Sequence, residues 1–392
     1  MNFFYIFWII LQILIGYHLI FPIILYLFFK VKKSTGSEDE NIVKSDNERD
    51  YAIIVTAYEQ TNLLYTVVES ILKLNYSNYL IYVVADNCDI SNLYFNSDKV
   101  ILLRPEIVLS SNTRSHFYAI SNFVKSHDVL TIIDSDNIVD SEYLNELNIF
   151  FDKGYEAVQG VRAAKNLNST LACLDAARDI YYHFYDGEVL FALGSSATLA
   201  GSGMAFKTSL YRECLEKLDI TGAGFDKVLQ AQIVGKNKRI AFSTRAIVYD
   251  EKTSKSDQLI NQRSRWINTW FRYFGFGFNI LWKGIKSLSI NQFLFGLVLL
   301  RPPLFMFIFG ALLFAFINLF VFPLMSLFWA ISLLLFVLGF YIALKHYPTD
   351  RKIYSSLINI PKFMYFQLVS LIHSRNANKR SIATKHSIVD KE

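Results

Sequence analysis

Val129-Leu-Thr-Ile-Ile-Asp-Ser-Asp136 (VLTIIDSD, residues 129–136) decides how the chain folds. A run of apolar and β-branched residues without alternation ends in two aspartates. Such a run fits a strand covered on both faces, the habit of parallel sheets. Tyr51–Thr56 (YAIIVT) and Leu80–Ala85 (LIYVVA) repeat the pattern upstream, and Val100–Leu103 is a shorter copy. Between them, Leu63, Leu64, Val67, Val68, Ile71 and Leu72 share one helical face within Asn62–Leu74, with Thr61 as its N-cap. Thr113–Lys125 predicts a second helix. Strands alternating with helices predict an α/β domain on a mostly parallel sheet. Ligands of such sheets bind outside the carboxyl ends of the strands, so the residues just after each strand matter most.

Those residues are acidic. Asp86 and Asp89 follow the second strand, and Asp134 and Asp136 close the fourth. Side chains two apart on an extended segment point to one side. Two carboxylates so placed are unfavourable unless a cation joins them, and a hard divalent ion does so and also suits a diphosphate. An Asp-Ser-Asp sequence is equally an ordinary turn, and on the pair alone both readings stand. The second constellation is Gln262-Arg263-Ser264-Arg265-Trp266, preceded by Asp257 as a cap. Gln262, Arg265 and Trp266 are i, i+3 and i+4, one face of one helix. An amide, a guanidinium and an indole together can bind a sugar or a diphosphate. The same residues also suit the end of an amphipathic helix beside a membrane.

The 392 residues are 53% hydrophobic and only 19% charged, with three cysteines and a net charge of +5. Mean hydropathy is +0.28. This composition excludes disorder and a purely soluble chain, and the charge excess is too small to suggest nucleic-acid binding. Phe3–Phe29 is an apolar run interrupted by Gln12, Gly16, His18 and Pro22. It exceeds the roughly 20 residues that span a bilayer. A cleaved signal peptide is the alternative, but there is no basic start and no small-x-small cleavage site. Lys30, Lys32 and Lys33 follow at once, which places the N-terminus outside and the rest in the cytoplasm. Pro302–Phe322 and Leu324–Leu344 predict a hairpin of two spans, followed by Lys345, Arg351, Lys352 and a basic tail from Arg375 to Lys391. Trp266–Lys286 mixes aromatic rings with lysines and reads as interfacial; Ile353–Ile372 reads as an amphipathic surface helix rather than a fourth span. The expected organisation is therefore an anchor over 1–29, a linker over 30–50, a cytoplasmic α/β domain over 51–265, an interfacial segment over 266–292, a transmembrane hairpin over 293–345, and an interfacial helix with a basic tail over 346–392. The expected location is the cell (inner) membrane, multi-pass. The scattered Cys88, Cys173 and Cys214 predict no disulfide.

Val55-Thr-Ala-Tyr-Glu59, Val84-Ala-Asp-Asn-Cys-Asp89, Asp134-Ser-Asp136, Gly201-Ser-Gly-Met204 and Gln262-Arg-Ser-Arg-Trp266 follow one another in a familiar order. From Tyr51 to Trp282 the chain resembles the family-2 inverting glycosyltransferases, whose fold is GT-A-like (Rossmann-like). The nearest type is the membrane-bound synthases of cellulose, chitin, hyaluronan and poly-N-acetylglucosamine. The resemblance implies that Ala57, Tyr58 and Glu59 line the nucleotide pocket, Asp86 contacts a uracil, and Arg114 stands near the phosphates. Asp134 and Asp136 resemble the DxD motif that holds magnesium or manganese on the donor diphosphate. Gly201, Ser202, Gly203 and Met204 resemble the strip beneath the acceptor sugar. Gln262, Arg265 and Trp266 resemble the motif that holds the pyrophosphate and the acceptor terminus. Asp226 stands where the family has its catalytic base, with Phe225 in place of a partner acid; read alone, Asp226 is equally a first-turn helix acid.

The implied function is transfer of a sugar from a nucleoside-diphosphate donor, UDP favoured, to an acceptor hydroxyl with inversion. It would act processively on an extracellular or capsular polysaccharide, with an export partner or an oligomer. A single-step transferase on a lipid-linked or membrane-proximal acceptor is the alternative, and a non-catalytic membrane scaffold a second one. Val158–Lys165 is expected near the donor, Tyr181, Tyr182 and His183 near an acceptor or in helix packing, and Asp250–Ser256 as a lid.

Overall fold

Lack of alternation in the apolar runs is explained by burial on two sides. β1 (Tyr51–Tyr58) lies between β2 (Tyr79–Asp86) and β4 (Val129–Asp134) and is parallel to both, with β3 (Val100–Leu103) parallel to β2. The computed structural model describes residues 3–35 and 48–379; most of the linker expected over 30–50 and of the basic tail lies outside the described residues. Tyr51, Ile53 and Val55 pack with α2 (Leu64–Leu72) and α4 (Tyr143–Asp152) on one face. Ala52 and Ile54 pack on the other with α3 (Asn112–Ser121), α7 (Thr208–Leu215) and α8 (Phe225–Gly235).

Beyond β4 the sheet becomes mixed. β7 (Met204–Lys207) pairs antiparallel with β4 and with β6 (Ala157–Ala164), β8 (Ile240–Asp250) runs parallel to β6, and β5 (Ile138–Val139) is antiparallel on β8. The order is β3-β2-β1-β4-β7-β6-β8-β5. The fold is therefore α/β and Rossmann-like, with a parallel half and a mixed half.

Some helix ends differ from expectation. α2 has no side-chain cap; the Thr61 carbonyl accepts the Leu64 N–H instead (3.0 Å). α3 is capped by Ser111 and stops at Ser121, because Phe123 turns onto the Tyr82 ring (4.6 Å) and the Val124 N–H donates to the Tyr82 hydroxyl (3.1 Å). α9 (Ser256–Tyr273) starts from Lys255, and Asp257 sits in its first turn rather than capping it. Cys88, Cys173 and Cys214 are free and buried.

α5 (Thr170–Tyr182) runs through a π-helical segment, His183–Val189, into the short α6 (Leu190–Ala192). After α9 come α10 (Gly275–Ser287), α11 (Ile290–Leu299), α12 (Leu304–Val321), α13 (Pro323–His346), α14 (Arg351–Ser356) and α15 (Ile360–His373). Among the described residues, three helices are long and apolar enough to cross a membrane: α12, α13 and Tyr5–Ser34 within α1 (Phe3–Thr35). Gln12 ties them together, its Oε1 accepting from Asn318 Nδ2 (2.6 Å) and Trp329 Nε1 (2.8 Å). In hydrocarbon such a bond has no water to compete with it. The aromatic segment divides: α9 packs against α15, while Phe278 and Trp282 on α10 stay exposed.

One backbone crossing is tight enough to test. At Gly160 the register of β6 on β8 shifts, and a Cβ there would stand 2.3 Å from the Ala246 carbonyl oxygen. Gly160→Ala should destabilise the protein by roughly 1–3 kcal/mol through overpacking. The check is thermal unfolding in detergent; an unchanged midpoint would refute the crowding.

Candidate active site

The carboxyl ends of β1 and β2 meet in register, Tyr58 opposite Asp86 and Ala57 opposite Ala85. The Glu59 N–H donates to the Asp86 carbonyl (3.1 Å), and Asn87 Nδ2 donates to Glu59 Oε1 (3.3 Å). The Asp86 carboxylate is buried and accepts the backbone N–H groups of Leu109 (2.9 Å) and Ser110 (2.8 Å). It thus holds the loop before α3 beside the strand ends, and Ser110 Oγ reaches the Tyr58 hydroxyl (3.3 Å). Ala57, Tyr58, Glu59 and Asp86 form one cluster. Arg114 is exposed beside that loop: its guanidinium pairs with Asp219 (2.7 Å) and its Nη1 donates to the Leu109 carbonyl (3.4 Å).

A cavity of about 990 Å³ begins beside this cluster. Asp134 and Asp136 both line it. They are brought together by a turn rather than by extension of the strand: the Asn137 N–H donates to the Asp134 carbonyl (3.1 Å), closing four residues. The Asp134 N–H is held by Ser202 Oγ (3.1 Å). Burial, then the neighbouring Asp136 carboxylate, pushes the Asp134 carboxyl up to about 7, while Arg162 opposes the shift. Among the described residues, no group of three or more His, Cys, Asp or Glu side chains could hold a metal ion. His183 is therefore not part of such a cluster.

Gly201 lines the cavity in a left-handed conformation (φ +90°), whereas Ser202, Gly203 and Met204 lie behind it against the sheet. The Gly203 N–H donates to Ile132 O (3.0 Å), and Met204 begins β7. Asp226 enters from the first turn of α8, beside Lys227 Nζ (3.2 Å), which also donates to Leu199 O (3.1 Å). Gly224 makes that approach feasible: its φ is +104°, and a Cβ would meet Thr269 Cγ2 at 2.5 Å. Phe225 faces the core against His116. From the far side α9 contributes Gln262, Arg265 and Trp266, all cavity-lining. Gln262 Oε1 is buried with no hydrogen-bond partner, and burial lowers the Arg265 pKa.

A line of buried charges joins these two sides. Arg162 on β6 donates to Ala200 O (2.6 Å) and pairs with Asp250 (2.7 Å) at the end of β8. Asp250 accepts from Lys252 (2.8 Å), which also engages Asp179 on α5. Asp179 pairs with Arg178, and Asp175 pairs with Arg263. The Arg178 and Arg263 guanidinium carbons stand 4.5 and 4.0 Å from the Trp266 ring centroid. The segment Asp250–Ser256, expected to be a lid, is thus anchored: Lys252 is buried, and its backbone exchanges two hydrogen bonds with the Asn166 amide. Asp179 lies in the stretch expected to pack or touch an acceptor, and Tyr182 and His183 line the cavity while Tyr181 is buried against Phe340. Sequence reading did not assign Asp179, Lys252 or Arg263 a role. The only signal was charge embedded in apolar context, as in Val158–Lys165 and the strand end at Asp250.

Comparison with known proteins identifies the class. The family described as Glycosyltransferase like family 2 matches residues 48–269, more than half of the chain. The chain belongs to that family. No curated protein sequence matches it. Among solved structures, the mannosyltransferase PcManGT from Pyrobaculum calidifontis, in complex with GDP-Man and Mn2+, aligns with a TM-score of 0.57 at 12% identity, covering 94% of this chain and 98% of that one. Residues 1–349 of TarS from S. aureus align with a TM-score of 0.42 at 15% identity, covering 87% and 94%. The same TarS fragment with UDP-GlcNAc gives 0.42 at 14% identity, covering 84% and 90%. At these identities the likeness to PcManGT is one of fold.

The Asp134 carboxyl sets a pH dependence. Its pKa is raised from 3.8 to about 7 on folding, so its stabilising contribution is complete below about 4 and is lost as pH rises through about 7. Without divalent ions, the wild-type unfolding midpoint should fall across that window relative to Asp134→Asn. Parallel pH profiles would contradict it.

Proposed function

We propose that the cavity transfers a sugar from a nucleoside diphosphate to an acceptor hydroxyl with inversion at the anomeric carbon. The observation that carries this reading is convergence: Asp134, Asp136, Asp226, Gln262, Arg265 and Trp266 come from three separate chain segments and line one cavity. The cluster of Ala57, Tyr58, Glu59 and Asp86 would receive the nucleotide. UDP is the nucleotide favoured by resemblance, and PcManGT, with the same fold, was solved with GDP-Man.

Asp134 and Asp136 fit a divalent cation. Two acids that disfavour each other's ionisation, with no third protein ligand among the described residues, suit an ion that takes its remaining ligands from the diphosphate. Magnesium or manganese there would offset charge on the departing diphosphate; Mn2+ accompanies the donor in PcManGT. Arg265 supplies a fixed cation toward the same group, an effect worth on the order of 3 kcal/mol for one well-placed donor elsewhere. Gln262 and Trp266 orient the acceptor. Asp226 accepts the proton of the attacking hydroxyl, with Lys227 Nζ beside it (3.2 Å). Gly201 gives the acceptor a wall without a side chain.

The catalytic domain would face the cytoplasm of a cell (inner) membrane, with the N-terminus outside. Lys32 at the end of α1 supports this, since its Nζ donates to Ala192 O (2.6 Å) on the side of the α/β domain. Chain extension to a polysaccharide is the second reading, favoured by the cavity placement of Gln262, Arg265 and Trp266.

Two outcomes test the site. Asp226→Asn should reduce transfer by about 10² to 10⁴-fold, the usual worth of a general base, while donor affinity by calorimetry stays close to wild type. Wild-type turnover would remove Asp226 from this role. Chelation with EDTA should weaken donor binding and transfer reversibly, restored by Mn2+ or Mg2+; full activity in excess chelator would exclude the metal.

A further inference from the structure

The cavity does not end at Trp266. It continues past Arg301-Pro302-Pro303 into an arm between α12, α13 and α15, where the lining turns apolar: Ile308, Leu333, Phe336, Phe340 and Met364. Val337 and Tyr341 also line this arm, yet both are exposed on α13, a helix able to span a membrane. The arm therefore opens sideways, between spans, where lipid would lie. A growing sugar chain presents hydroxyls on all sides, and this lining offers them few partners beyond Tyr341 and Gln367. A hydrocarbon chain needs none.

Where polar cavity meets apolar arm, guanidinium groups gather. Arg178, Arg263, Arg265 and Arg301 all line this junction. Asp175 is shared by Arg178 and Arg263, Asp179 by Arg178 and Lys252, and Asp186 engages Arg301. Arg263 is 2% exposed, and its Nε and Nη1 make no hydrogen bond. Buried guanidinium groups of this kind suit a phosphate.

An apolar slot open to the bilayer, an arginine junction and the transfer site lie in that order along one cavity. We propose that the acceptor is a lipid phosphate. Its hydrocarbon tail occupies the arm between α12, α13 and α15, its phosphate or diphosphate meets the arginine junction, and a sugar borne on that phosphate presents its hydroxyl to Asp226. In the transfer the donor's anomeric carbon–oxygen bond breaks, a bond forms to a hydroxyl oxygen of the sugar borne on the lipid phosphate, that hydroxyl's proton passes to Asp226, and the nucleoside diphosphate leaves. This inference rests on the transferase reading above.

The test uses full-length protein in nanodiscs with Mn2+ and labelled UDP- and GDP-sugars. The acceptors, each bearing a terminal sugar, are a long-chain polyprenyl phosphate, its short-chain analogue, the long-chain alcohol without phosphate, a diacyl phosphate, and a soluble oligosaccharide. Label should enter the organic phase with the long-chain phosphate, whose KM should be about tenfold or more below those of the short-chain and phosphate-free analogues, the scale of discrimination an apolar pocket and a buried ion contact provide. The diacyl phosphate separates isoprenoid from acyl tails; use of either supports the class. Ile308→Trp, which fills the arm, should raise KM for the long chain and not for the short one, whereas Leu334→Trp, exposed and outside the cavity, should change neither. Equal use of short and long chains, preference for the soluble oligosaccharide, or no effect of Ile308→Trp would overturn the proposal. If donor is bound and transferred to the soluble sugar alone, the transferase reading survives and the lipid acceptor falls. If donor is neither bound nor consumed, both fall.

Discussion

Arg162, Asp250, Lys252, Asp179 and Arg178 alternate in sign through the interior, and the geometry of the site depends on them. They come from β6, β8, the segment after β8, and α5. Removing one member of a buried pair leaves its partner uncompensated, at a cost of about 3–5 kcal/mol. No member can therefore move alone. Asp175 and Arg263 extend the line onto α9, so the helix that carries Gln262, Arg265 and Trp266 is registered against the strand ends that carry the acids. Two half-sites distant in sequence are thereby held at a fixed separation.

The second consequence concerns the long apolar helices. α5 and the π-helical segment after it reach from this charge line to α13. Tyr185 donates its hydroxyl to Gly339 O (2.9 Å), Tyr347 donates to Glu188 (2.5 Å), and Asp186 engages Arg301 at the entrance of the hairpin. A π-helical turn widens the backbone and is often found at functional sites. Here it lets Tyr182, His183, Asp186 and Gly187 all face one cavity. The hairpin is accordingly a wall of the site as well as a stretch of apolar helix. Trp270 reinforces the joint, donating its Nε1 to Arg301 O (3.0 Å).

Electrostatics at the strand ends are arranged in opposition. Asp86 is buried, and its two carboxylate oxygens accept the Leu109 and Ser110 N–H groups, which holds a loop at the strand ends. Asp134 is buried beside Asp136, and its carboxyl is pushed toward neutrality. One acid has a backbone donor on each carboxylate oxygen; the other is held in a state that a cation would relieve. The difference arises from neighbours, since both end parallel strands of one sheet.

The amino-acid sequence by itself determined the parallel half of the sheet, because unalternated runs such as Ile53–Val55 and Leu130–Ile133 have no stable place except between two covered faces. It also determined the hairpin, where Pro323 separates two apolar stretches, and the identity of the motif residues. Tertiary structure alone decided the rest. Met204–Lys207 is too short to announce an antiparallel strand, and it becomes one only because β4 and β6 flank it. Asp134 and Asp136 meet through a turn, not through strand periodicity. Lys252 looked like solvent-exposed loop charge until Asp179 and Asp250 enclosed it. Pairings such as these join residues far apart in the chain, and local periodicity carries no record of a partner that arrives only when the chain has folded.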